Sequence, residues 1–275
     1  VHAASVAAPL GTDAPVVVMV HDVAWREVPE TFPARGRRWH EAALQRAVAR
    51  AAILVTPSER TAGLLVEAGV DSDRVVTINE GCDHLPLADA DGVTATLAAL
   101  GVSGPYLLSV STLEPRKNLA RLTRAYTRAR EGFPEPWPLV VVGPSGWGPA
   151  LAPVAGVKLA GVVSDAVLAG LYAGARCLAY VPLVEGWGLP PVEAMAACTP
   201  VVASPMPSTG GAALEVDPTD VEAIAEALAV VVGDDRRRSA LVTAGLLRAG
   251  ELTWASAARS HVELWESLAV GGRRR

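Results

Sequence analysis

The sequence predicts an α/β fold with two parallel sheets, and three observations carry that expectation. Short, fully apolar runs of strand length recur along the chain, among them Val16–Val20 and Leu139–Val142. A stretch with helical character follows most of them. The alternation comes in two series, divided by a polar, glycine-marked stretch near Ala88–Gly104. Strands that are apolar at every position are buried on both faces, which is the situation of a parallel sheet covered by helices on each side. Two such series make two Rossmann-like halves.

In the first series the strand Val16–Val20 leads to a helix over Arg37–Ala51, a strand at Ile53–Thr56, a helix over Glu59–Ala68 and a strand at Val75–Ile78. The second opens with the strand Tyr106–Val110 and the helix Asn118–Arg130, then the strand Leu139–Val142 and the helix Ser164–Ala173. Cys177–Val181 follows as a strand, Pro191–Ala197 as a helix, Pro200–Ala203 as a strand and Val221–Val232 as a helix. Residues 1–97 are read as an N-terminal domain and 98–251 as a C-terminal domain. Residues 252–275 are read as a last helix with a basic tail, Arg273–Arg275.

A chain of 275 residues has room for two modest domains. Hydrophobic residues make up 51% of it, much of that Ala and Val, and the net charge of −5 gives no reason to expect a nucleic-acid partner. No apolar run approaches the roughly 20 residues that cross a bilayer, and the opening Val-His-Ala-Ala-Ser has neither a basic region nor an apolar core of signal-peptide kind. The three cysteines Cys82, Cys177 and Cys198 lack metal-ligand spacing and read as reduced thiols. A cytoplasmic enzyme without metal is the resulting expectation. The helix with Arg35, Arg37, Arg38, Arg46 and Arg50 reads either as a solvated surface or as a peripheral contact with the cytoplasmic face of a membrane.

In open α/β sheets ligands bind beyond the carboxyl ends of the strands. After Tyr106–Val110 stands Ser111-Thr112-Leu113-Glu114-Pro115-Arg116-Lys117-Asn118. Two cations beside a helix N-terminus suit a diphosphate, because the helix offers unpaired N–H groups, Arg a forked contact and Lys a point charge. Standing alone, such a pair is more often a solvated surface feature. After Cys177–Val181 comes Glu185-Gly186-Trp187-Gly188-Leu189-Pro190-Pro191-Val192-Glu193, whose glycines allow close backbone approach. The prolines suit a first helical turn. For Glu193 by itself an ordinary N-terminal glutamate is explanation enough; Glu185, in a glycine-flanked loop, gains nothing from a helix dipole.

These residues resemble the donor domain of retaining family-four glycosyltransferases (glycosyl transferases group 1), over Tyr106 to about Val216. Glu185 and Glu193 match that family's pair of glutamates with seven residues between them, the first opening a Glu-Gly-Trp-Gly-Leu-Pro-Pro run. Ser111–Asn118 is similar to its phosphate-binding segment, Gly143–Trp147 to its Gly-x-x-Gly-Trp turn, and Gly161–Asp165 to its Gly-x-Val-x-Asp element. Val20-His21-Asp22 resembles its His-Asp strand end, although a lone His at a strand end is usually structural. Asn79-Glu80-Gly81-Cys82-Asp83 resembles its interdomain connector with Glu80 inserted, and the region of Trp254, His261 and Trp265 resembles its last helix.

The resemblance implies a GT-B fold of two Rossmann-like domains, the N-terminal one incomplete, and hexosyl transfer, with mannose from GDP-mannose favoured, to a hydroxyl acceptor. The acceptor is a glycan, a lipid-linked glycan or a small molecule. Arg116 and Lys117 would stabilise the leaving diphosphate and Glu193 would accept from the ribose. Glu185 would hold the sugar, His21 would meet it, and Gly143, Gly186, Trp187, Gly188 and Leu189 would line the donor. No cofactor or metal is implied. A non-catalytic nucleotide-sugar-binding subunit and a UDP-sugar epimerase of the same fold are the alternatives. Ser204–Asp217 and Gly148–Val154 are shorter than in relatives and the first three strands look thinly covered, so a molecule longer than these residues is expected.

Overall fold

The structure is a computed structural model and describes residues 1–133, 135 and 137–272. Its chain forms two compact units, one of residues 1–81, 185–187 and 252–275, the other of 82–184 and 188–251. The tail Arg273–Arg275 lies outside the described residues.

Unit 1 holds a four-stranded parallel sheet in the order β1 (His2–Ala3), β2 (Val17–Met19), β3 (Ile53–Thr56), β4 (Val75–Thr77). Strand side chains alternate between faces, and both faces are apolar here. Val16, Val18, Val20 and Leu54 pack with Leu44 and Ala47 of α2 (Ala34–Arg50) and Leu65 of α3 (Glu59–Glu67). Val17, Met19 and Val55 pack with Ala257, Leu264 and Leu268 of the final helix, α10 (Trp254–Gly272). This corrects the expectation of thin cover: a helix about 200 residues downstream of β3 covers that face, and Val55 is fully buried. A short helix, α1 (Ala24–Glu27), precedes α2.

Unit 2 holds a six-stranded parallel sheet: β5 (Leu107–Val110), β6 (Leu139–Val142), β7 (Val157–Gly161), β8 (Cys177–Tyr180), β9 (Val201–Ala203) and β10 (Leu214–Glu215). Across the sheet the order runs β10-β9-β8-β5-β6-β7. Helices α5 (Leu119–Ala129) and α8 (Val221–Gly233) cover one face, burying Leu122, Tyr126, Leu228 and Val231 against Leu107, Leu139 and Val141. The others are α4 (Ala90–Ala99), α6 (Asp165–Gly174), α7 (Leu189–Ala196) and α9 (Asp235–Glu251). Side-chain caps fix several starts: Asp89 accepts from the Gly92 N–H, Ser164 from that of Val167, and Asp220 from those of Glu222 and Ala223.

Two boundaries differ from the sequence reading. The units divide between Gly81 and Cys82, not at 97/98, because α4 packs on α6, with the Asp89 N–H donating to the Ala166 carbonyl at 3.0 Å. And Glu185–Trp187 groups with unit 1, whereas the residues on either side of it in the chain group with unit 2.

Candidate active site

Strand order in unit 2 reverses at β5: the chain steps from β5 to β6 and β7 on one side, then returns to β8 on the other. Connections therefore leave β5 and β8 in opposite directions and open a crevice at their carboxyl ends, the place where open α/β sheets bind ligands. The turn after β5 carries Arg116 and Lys117; the segment after β8 leads into α7 with Gly188, Leu189 and Glu193. Gly143 ends the neighbouring β6.

Buried Asn118 ties these edges together. It adopts the left-handed conformation (φ 59°), which Asn tolerates better than most residues. Its amide donates to the carbonyls of Val181 (2.9 Å) and Pro218 (2.7 Å), so the cationic turn is anchored to the end of β8. The Arg116 guanidinium, 12% exposed, meets the buried Glu114 carboxylate at 2.9 Å and donates to the Val184 carbonyl at 3.1 Å. Lys117 donates to the Tyr180 hydroxyl at 2.9 Å and lies 5.4 Å from the centre of its ring. Both cations are thus held in fixed geometry by protein partners.

At the start of α7, Gly188 has φ 102°, and a Cβ there would stand 2.4 Å from Met206 Sδ, so only glycine fits. No side chain caps this helix. Glu193, one turn in, is buried. Its Oε2 accepts from the Tyr172 hydroxyl at 2.7 Å and its Oε1 lies 3.2 Å from His84 Nε2. Burial raises its pKa, opposed by the hydrogen bond from Tyr172 and the charge of His84.

In unit 1, His21 follows β2 with both ring nitrogens engaged: Nδ1 is 3.0 Å from Glu80 Oε1, and Nε2 is 3.0 Å from the Ala4 carbonyl. Carboxylate and carbonyl oxygens only accept, so this arrangement favours the ring with both nitrogens protonated. Its pKa is accordingly raised, chiefly by the Glu80 hydrogen bond. Glu185 is half-buried and Trp187 buried. Between them, the Gly186 carbonyl accepts from the Ser58 hydroxyl at 2.7 Å. A Cβ on Gly186 would lie 1.9 Å from the His21 carbonyl oxygen.

Unit 2 therefore brings together Arg116, Lys117, Gly143, Gly188, Leu189 and Glu193, while His21, Glu185, Gly186 and Trp187 fall in unit 1. Sequence reasoning missed Glu80, Ser58, His84, Tyr172 and Tyr180, and singled out Asn118 only as part of a motif. Among the described residues no group of three or more His, Cys, Asp or Glu side chains is placed to hold a metal ion. Cys82 and Cys177 are buried, which pushes their thiols up to about 11 and about 12.

A switch-point crevice flanked by paired cations and a helix-borne carboxylate, in a chain with two parallel sheets, defines a nucleotide-binding α/β protein of GT-B type. The model for glycosyl transferases group 1 matches residues 104–234 and that for glycosyltransferase family 4 matches residues 1–84. The chain belongs to glycosyltransferase family four, with the GT-B fold. It is 28% identical over 267 residues to the O-antigen chain mannosyltransferase B of Escherichia coli, covering 92% of this chain and 70% of that protein. It is 31% identical to a D-inositol 3-phosphate glycosyltransferase of Kineococcus radiotolerans, over 72% of this chain and 52% of that one. In structure it is similar to Anabaena Alr3699/HepE, solved in complex with UDP and glucose (TM-score 0.74, 20% identity, 92% of this chain and 72% of that one). The sucrose-phosphate synthase of Thermosynechococcus elongatus is comparably similar (TM-score 0.73, 21% identity, 95% and 69%).

Proposed function

We propose that this chain transfers a hexose from a nucleoside-diphosphate sugar to a hydroxyl acceptor, with retention at the anomeric carbon and without a metal ion. The observation that carries the reading is the switch-point crevice with Arg116 and Lys117 on one side and Glu193 on the other. When the glycosidic bond breaks, negative charge grows on the departing diphosphate. Cations already fixed by Glu114, Val184 and Tyr180 meet that charge without reorganising, an effect on the order of 3 kcal/mol in comparable sites. Glu193 accepts from the ribose hydroxyls, N–H groups near Gly188 and Leu189 meet phosphate oxygens, and Gly143 leaves the end of β6 open beside them. Trp187 and Gly186 belong to the same donor-binding segment, and Glu185 is assigned to the sugar hydroxyls.

In the retaining step the acceptor oxygen bonds to the anomeric carbon on the face that the diphosphate leaves, and the acceptor proton passes to a departing phosphate oxygen. His21, both of whose ring nitrogens are engaged by Glu80 and the Ala4 carbonyl, is assigned to the donor sugar as a positioning group and not as a base. Mannose is the preferred hexose and GDP-mannose the preferred donor, supported by the mannosyltransferases of Escherichia coli and of Mycolicibacterium hassiacum among the relatives. The exposed arginines of α2 support a peripheral membrane contact; among the described residues no helix is long and apolar enough to cross a membrane.

Incubation with UDP-, GDP- and ADP-hexoses, with and without chelator, tests the reading through diphosphate release and the anomeric configuration of the product. Release that survives chelation, with a retained linkage, is expected. Tight binding without release points to a binding subunit, and an altered hexose without acceptor to an epimerase.

A further inference from the structure

We infer that His84 and Tyr172 are positioning residues that clasp the Glu193 carboxylate and so set the affinity for a nucleoside diphosphate. The inference rests on the reading of Glu193 as the carboxylate that accepts from a ribose diol.

Each part of the clasp is fixed by packing outside it. His84 lies in the segment between Cys82, whose thiol donates to the Ala249 carbonyl at 3.5 Å, and Asp89, whose N–H donates to the Ala166 carbonyl at 3.0 Å. Tyr172 is on α6, which meets α4 so closely that a Cβ on Gly170 would lie 2.5 Å from Val93 Cγ2. From these two supports the phenol reaches Oε2 and the imidazole Oε1 of Glu193. A carboxylate offers about four lone-pair sites. Two are taken, and the two that remain match the two hydroxyls of a vicinal diol.

The contrast in exposure sets the division of labour. The Glu193 side chain is 8% exposed and that of His84 37%. A carboxylate so buried tends to take up a proton, and Asp165 on α6 pushes the same way. Other ionisable groups nearby are Cys82 and Asp83 of the connecting segment, Tyr180 of β8 and Arg248 of α9. Tyr172 remains a neutral donor, since burial and then Glu193 hold its phenol well above its ordinary range. The Tyr172 hydroxyl at Oε2 and His84 Nε2 at Oε1 therefore fix the orientation of the carboxylate from both of its oxygens.

The test is calorimetry of UDP and of GDP with the whole chain. His84→Ala is expected to lose about tenfold in affinity for both, and His84→Gln, which keeps a donor, to recover most of that loss. Tyr172→Phe should weaken binding by a similar factor. Because His84 is exposed, the melting temperatures of its variants should move by no more than a few degrees, which separates the effect from loss of fold. No loss in His84→Ala, or no recovery in His84→Gln, overturns the clasp. If Glu193→Gln leaves both nucleotides binding as in the wild type, or the wild type binds neither, the assignment of Glu193 falls and the clasp with it. A loss in Glu193→Gln alone removes only the clasp.

Discussion

Replacing Gly186 with alanine should disrupt the segment that carries Glu185 and Trp187. The added Cβ would lie 1.9 Å from the His21 carbonyl oxygen, 2.8 Å from Asp22 Cβ and 2.9 Å from the His21 carbonyl carbon. That is about 1.5 Å short of ordinary contact with a backbone atom, so no rotamer change relieves it. Overpacking typically costs about 1–3 kcal/mol, and a contact with backbone belongs at the upper end. Movement of the segment also breaks the 2.7 Å bond from the Ser58 hydroxyl, which is 1% exposed, for roughly 1 kcal/mol more.

Together these come to about 4 kcal/mol, and at about 2–4 °C per kcal/mol the thermal transition should fall by roughly 10 °C. Differential scanning calorimetry measures it. Two controls bracket the result. Ser58→Ala removes the bond without the clash and should cost about 1–2 kcal/mol. Gly63→Ala, in the interior of α3 with nothing within 4 Å of the new Cβ, should stabilise by up to about 1 kcal/mol. A Gly186→Ala protein that melts within about 2 °C of the wild type would refute the close approach of Gly186 to the end of β2.

The double variant Arg116→Ala/Lys117→Ala should keep its melting temperature within a few degrees and lose at least about tenfold in turnover, read from diphosphate release; unchanged turnover removes both from the chemistry. Glu185→Gln should lower hexose transfer while leaving UDP or GDP binding within about twofold, and calorimetry with the free diphosphate would expose a wrong assignment. Asn118→Ala should cost about 2 kcal/mol of stability, because it strips one buried and one partly buried carbonyl of their donor, and a urea titration that shows no change counts against the tether. The pKa of His21 is raised on folding, so the Glu80 pair adds stability fully below the unfolded histidine value of about 6.5 and loses it as pH rises through the higher folded value. Glu80→Gln should therefore destabilise at acidic pH by under about 1 kcal/mol, since the imidazole is 53% exposed, and match the wild type in alkaline melts; the opposite slope would contradict the imidazolium assignment.

What the sequence reveals follows the range of the interactions involved. Ile53–Thr56 and Leu139–Val142 are readable to the residue because strands buried on both faces are almost wholly apolar, Thr56 being the one polar residue of the two. The edge strand β7 is not, since its Val-Lys-Leu-Ala-Gly is only half-buried and resembles a loop. Nor is α4, none of whose residues is buried, so that it shows no apolar stripe. Arg116, Lys117, Gly188 and Glu193 are legible because each lies within a few residues of a strand end, where local order and chemistry coincide. Tyr172 and His84 reach Glu193 from elements that no local period connects to it.

The sharpest case is Glu80, which reads as an insertion in a connector and turns out to lie 3.0 Å from a histidine 59 residues away. That contact changes what the histidine can do. A ring at a strand end, seen in sequence alone, is as free to take a proton as to give one. With Glu80 accepting at Nδ1 and the Ala4 carbonyl accepting at Nε2, neither nitrogen keeps a lone pair to offer. Removing a proton would leave one of these oxygens facing an acceptor, so the pair favours the charged ring through geometry as well as charge. Sequence could supply the residue type at position 21, but its protonation state, and hence its chemistry, is decided by partners that only the fold brings to it.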